Sequence, residues 1–80
     1  MLKGEQVKKY FEEHQEAKEL IECAEVQFKC WQPGLEHKDM YRKLTVDDIV
    51  YISFQGWCGE DGTFAWYYPG GVPHYMRIGD

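Results

Sequence analysis

Three consecutive stretches decide the fold: Ile49-Val-Tyr-Ile-Ser-Phe54, then Gln55-Gly-Trp-Cys-Gly-Glu-Asp-Gly62, then Thr63-Phe-Ala-Trp-Tyr-Tyr68. The outer two are runs of β-branched and aromatic residues, and the loop between them ends in Asp61-Gly62. That arrangement predicts a β-hairpin with strands over 49–54 and 63–68. Side chains alternate across a strand. One face of the first strand is therefore expected to carry Val50, Ile52 and Phe54, and one face of the second Phe64, Trp66 and Tyr68. These six form the candidate core. A lone hairpin is marginal in water, so another element must cover that face.

The N-terminal third supplies the cover. From Glu5 to Gln32 there is no Gly, Pro, Asn, Asp, Ser or Thr. Val7, Tyr10, Phe11, His14, Ala17, Ile21, Ala24 and Phe28 recur at spacings of three and four, the period of one helix face. Gly4 suits the cap, Glu5 suits the positive end of the helix dipole, and Pro33 forces Gln32 out of helical geometry. The spacing predicts a long amphipathic helix from about residue 5 to about residue 30. A second reading ends the helix near residue 22, because Ala24, Val26, Phe28 and Cys30 also alternate with Glu25, Gln27 and Lys29 as in a half-buried strand. The lack of a turn residue near 23 favours the longer helix.

Pro33-Gly34 opens a connection, and Met40, Tyr41 and Leu44 fall at helical spacing, which suggests a short second helix over 36–44. Pro69, Gly70, Gly71 and Pro73 make a loop of the segment after Tyr68, and Tyr75-Met-Arg-Ile78 reads as a short edge strand. The expected fold class is α+β: a helix on a small antiparallel sheet, in one domain. No repeat or linker divides the 80 residues.

Composition narrows the function classes. The net charge is −5, with −2 in residues 1–32 (five Lys against seven Glu) and no basic cluster, so a direct nucleic-acid surface is not expected. Three cysteines cannot all pair within one chain, and there is neither an apolar leader nor a membrane-length apolar run. A reducing cytoplasm with free thiols is the expectation.

Trp57-Cys58-Gly59 resembles the opening of a thioredoxin-type redox motif, but Asp61 stands where the second cysteine belongs. Cys23, Cys30, His37 and Cys58 are chemically suitable zinc ligands, yet Cys23 and Cys30 on one helix would lie about 10 Å apart, too far to share an ion. Cys58 with His37 or His74 and Asp61 is a nucleophile set on paper only. No cofactor, metal or catalytic residue is therefore expected.

A surface reading remains. Tyr51 and Tyr67 are expected on the hairpin face away from the core, with Trp57, Glu60 and Asp61 in the loop. Exposed rings with an acidic rim suit a protein-binding site for a basic partner. The expected function is a small acidic binding module without enzymatic activity. Its general character is that of phage or mobile-element accessory proteins that inhibit a host nuclease or defence complex. One alternative is a nucleic-acid mimic using Glu5, Glu12, Glu16 and Glu19, although such residues also pair four apart with Lys on ordinary solvated helices. Another is a small Cys/His metal protein or enzyme.

Overall fold

A computed structural model describes the backbone of residues 1–30 and 38–80, and side chains outside residues 28–40. In chain order these residues form β1 (Leu2–Lys3), α1 (Glu5–Glu13), α2 (Gln15–Cys23), β2 (Glu25–Cys30), β3 (Lys38–Lys43), β4 (Tyr51–Gln55), β5 (Asp61–Tyr67) and β6 (His74–Gly79). Short 3-10 turns occupy Val46–Asp48 and Pro69–Gly71. A four-stranded antiparallel sheet has the order β1-β4-β5-β6, and β2 and β3 form a separate antiparallel pair. The class is α+β, with the expected hairpin at the centre of the larger sheet and β6 as the expected edge strand.

The long helix is corrected. Helical geometry breaks at His14, where φ is −126° and ψ is 78°, and ends at Ala24, where the backbone is extended. No glycine or proline marks the break; side-chain donors make it tolerable. His14 Nδ1 donates to the Tyr10 carbonyl at 2.9 Å, and the Gln15 side-chain amide bonds the Phe11 and Glu12 carbonyls at 3.4 and 3.2 Å. The Phe11 and Glu12 carbonyls belong to the last turn of α1, where a helix end lacks backbone donors, while the Tyr10 carbonyl also accepts from the His14 amide at 2.9 Å. The break lets two short helices each present an i, i+4 pair to the sheet, Val7 with Phe11 and Ala17 with Ile21, all four buried.

Residues 25–30 are strand, as the alternative reading of their alternation held, because β3 supplies a complete ladder from Glu25↔Lys43 to Cys30↔Lys38. The short helix expected over 36–44 is likewise corrected: 38–43 is β3, and 36 and 37 lie outside the described residues. Three apolar residues at helical spacing were outweighed by pairing with a neighbouring strand. The Pro33-Gly34 connection and His37 also fall outside the described residues.

The core lies between α1, α2 and one face of the larger sheet. It contains Val7, Phe11, Ala17, Ile21, Leu44, Ile49, Ile52, Ala65, Tyr67 and Ile78. Leu44 joins it from the end of the β2–β3 hairpin, where its amide donates to the Ala24 carbonyl at 3.1 Å. The root of that hairpin is held again by Arg42, whose guanidinium bonds both Asp48 carboxylate oxygens at 2.9 and 3.0 Å. Asp48 also closes a capping box with Thr45 over the 46–48 turn.

The expected core face is half right. Register pairs Ile52 with Ala65 and Tyr51 with Trp66, so Ile52 and Ala65 face the helices while Phe64 and Trp66 face away. A one-residue change of phase moves every side chain of a strand to the other face. Of the six predicted core residues, Ile52 lies in the helix-facing core. Phe64 and Trp66 are buried in a different layer, and Val50, Phe54 and Tyr68 are exposed. A ladder irregularity between Ser53 and Gln55 accompanies the turning out of Phe54.

Candidate functional site

The outer face of the larger sheet carries an aromatic layer. Tyr51 on β4, Trp66 on β5 and Tyr75 on β6 are direct cross-strand neighbours, so they form one row perpendicular to the strands. Ring centroids along the row are 5.4 Å apart for Tyr51 and Trp66 and 4.9 Å for Trp66 and Tyr75. Tyr68 extends the row at Tyr51, with centroids 6.4 Å apart and its hydroxyl donating to the Tyr51 oxygen at 3.4 Å. Phe64 meets Tyr75 edge-on at 5.4 Å, and the Arg77 guanidinium lies over the Phe64 ring at 6.0 Å. Trp66 is the recessed middle ring, buried, and its indole Nε1 donates to Ser53 Oγ at 2.6 Å. Tyr51 and Tyr75 on either side are half-buried, with part of each ring open.

Above this row stands the loop 56–60. Trp57 projects from it at 72% exposure and leans on Trp66 at 6.5 Å. The loop can lie this close because residue 56 is glycine: a Cβ there would meet Phe64 Cζ at 3.0 Å and a Glu60 carboxylate oxygen at 3.1 Å. That contact places Glu60 at the Phe64–Tyr75 end of the row. Partial burial, then the nearby Glu60 and Cys58 charges, raises the Tyr75 hydroxyl above its ordinary pKa. The hydrogen bond with Tyr68, then desolvation, pushes Tyr51 up to about 12. Both hydroxyls stay protonated at neutral pH, able to donate to an incoming carbonyl.

Of the residues expected in a binding surface, Tyr51, Trp57, Glu60 and Asp61 lie on or beside this face, the last three exposed. Tyr67 is corrected. It is buried among the helix-facing core residues and stacked on His74 at 5.8 Å, and burial raises its pKa. Sequence reasoning misses Trp66 and Tyr75 as surface rings: alternation counted from Phe64 puts Trp66 in the helix-facing core, and Tyr75 reads only as part of an edge strand. Alternation of Tyr75 and Arg77 with Met76 and Ile78 was the available signal, since Ile78 had to point inward.

Glu5, Glu12, Glu16 and Glu19 are all exposed, but the break at His14 divides them between α1 and α2. Among the described residues, the four-apart helix ion pair that forms is Lys18–Glu22 at 3.8 Å, which involves none of these four glutamates. Cys23 and Cys58 are free and exposed, contrary to the usual burial of such cysteines. Among the described residues, no three His, Cys, Asp or Glu side chains converge as metal ligands. Among the described residues, no helix is long and apolar enough to cross a membrane. Comparison with family models, curated proteins and solved structures gives no match.

Proposed function

We propose that this chain is a non-enzymatic protein-binding module whose recognition surface is the outer sheet face, with Tyr51, Trp57, Trp66 and Tyr75 as its apolar centre and Glu60 and Asp61 as its acidic rim. Trp57 is the observation that supports it. A tryptophan left 72% exposed on top of an already buried aromatic layer costs solubility unless a partner covers it. Trp and Tyr at the centre of a patch, ringed by charge, is the composition of interface hot spots. The net charge of −5 favours a basic partner. An inhibitor or accessory protein of a phage or mobile element, acting on a nuclease or defence complex in the cytoplasm, suits this size, acidity and aromatic content.

A second reading rests on the exposure of Glu5, Glu12, Glu16 and Glu19, which would mimic a phosphate backbone. The break at His14 weakens it by splitting the carboxylates into two pairs on separate helices.

Immobilised protein, its Trp57→Ala/Tyr51→Ala variant and a variant with the four glutamates changed to Gln separate the two. Lysate proteins should be retained by the parent and the Gln variant and released by the aromatic variant. Retention by the aromatic variant with loss from the Gln variant would favour the mimic.

A further inference from the structure

We infer that the outer face takes a polyproline II segment of its partner, with prolines at positions i and i+3 over Tyr51 and Tyr75 and a basic residue beside Glu60. This rests on the protein-binding reading and names the class of segment bound.

Spacing carries the argument. Tyr51 and Tyr75 are opposite Trp66 on strands either side of β5, so they stand two strand spacings apart, about 9.6 Å. A polyproline II helix repeats every three residues, about 9.3 Å. Trp66 between them is recessed and buried, so the accessible rings recur at the longer spacing. The neighbouring rings touch at 4.9 and 5.4 Å, leaving no slot for a side chain to insert. A ligand must therefore lie across the rings, as flat proline rings do on aromatic surfaces. Such a segment has no internal hydrogen bonds, and its free carbonyls need donors. The Tyr51 and Tyr75 hydroxyls supply them, and Trp57 walls one side.

Charge sets the direction and excludes rivals. Glu60 lies at the Tyr75 end of the row, and Asp61 adjoins it. A basic residue beyond the second proline meets the Glu60 carboxylate, while Arg77 at the same end is engaged by Asp80 at 2.6 Å. A second copy of this chain would bring like charges together across a two-fold contact, and a nucleic acid would bring phosphates.

The probe is a panel of nine-residue peptides holding Pro-x-x-Pro, with Arg at either end and mixed residues at x, titrated against the full chain by fluorescence anisotropy. Saturable binding is expected, weakened about tenfold or more by changing both prolines to Ala and about thirtyfold by Trp57→Ala. Changing the peptide Arg to Glu should weaken binding, and Glu60→Lys should restore it. Circular dichroism checks that each variant is folded. Equal binding of the Ala peptides, which permit a helix, would overturn the inference, as would no saturable binding by the panel or binding indifferent to Trp57. Peptide failure alongside Trp57-dependent capture from lysate rejects the segment class but spares the binding face; loss of both rejects both.

Discussion

Trp57, Trp66 and Tyr67 are three large aromatic side chains with different duties, and single substitutions should separate them. Trp57→Ala removes an exposed ring, so its melting curve should overlay the parent's while partner affinity falls by about 2 kcal/mol. Trp66→Ala empties the middle of the aromatic layer and removes the indole donor to Ser53 Oγ, at a cost of about 3–5 kcal/mol. Tyr67→Ala should destabilise by about 3 kcal/mol in urea melts, because that ring belongs to the helix-facing core. A Tyr67→Ala protein of parental stability would refute its assignment to the core. The tyrosines also set an alkaline limit. Tyr51, Tyr67 and Tyr75 all have folded pKa values raised above the ordinary 10.0, Tyr51 to about 12. Groups raised in this way favour the folded state fully below pH 10, and that contribution is lost as pH climbs toward 12. Absorbance titration near 295 nm should show a late-ionising set of tyrosines, with the melting temperature falling over the same interval. Simultaneous ionisation of all tyrosines near pH 10 would contradict it.

At the scale of elements, the 46–48 turn holds the β2–β3 hairpin to the core. Asp48 performs two tasks there, closing the capping box with Thr45 and receiving Arg42 through both oxygens. The bond from Arg42 is the main reason its carboxyl lies below the ordinary carboxylate range. A depressed carboxylate stabilises the fold above its unfolded pKa of about 4 and loses that contribution as pH falls through the folded value. Asp48→Ala should therefore cost about 1–2 kcal/mol at pH 7, mostly through the lost cap, since the ion pair is largely solvated. As pH falls through the depressed folded pKa of Asp48, the variant and parent should converge, which acid melts would test. Loss of the pair frees the hairpin root first, so hydrogen exchange at Leu44 should accelerate more than at Ala65. The helix break at His14 belongs to this scale too. Its donors, His14 and Gln15, were visible in the sequence, but they act only once the chain has turned, so no local signal distinguished them from two more helical positions.

For the whole molecule, the helix-facing core is one thin layer between two short helices and one sheet face. Phe11→Ala at its centre should cost about 3–5 kcal/mol, enough to leave a domain of 80 residues largely unfolded at 37 °C. A cooperative parental melt in that variant would mean that the aromatic layer on the other side of the sheet is sufficient alone. The α+β class, the central hairpin, the C-terminal edge strand and the apolar residues of the N-terminal third were determined by the sequence itself. Each rests on local periodicity and turn chemistry, which are properties of neighbouring residues. Tyr51, Trp57, Glu60 and Asp61 were legible for the same reason, since a loop tryptophan beside acids is conspicuous without any coordinates. Only the tertiary structure decided which face of β5 meets the helices. In a strand reading Thr63-Phe-Ala-Trp-Tyr67, both faces are apolar enough to be buried, and alternation alone cannot rank them. The pairing of Ile52 with Ala65 resolves it physically: a small side chain opposite a branched one leaves room for helix packing, while the large rings of Phe64 and Trp66 fill the opposite side. The same long-range register lines up Tyr51, Trp66 and Tyr75 from three strands, a row that no segment of the chain contains by itself.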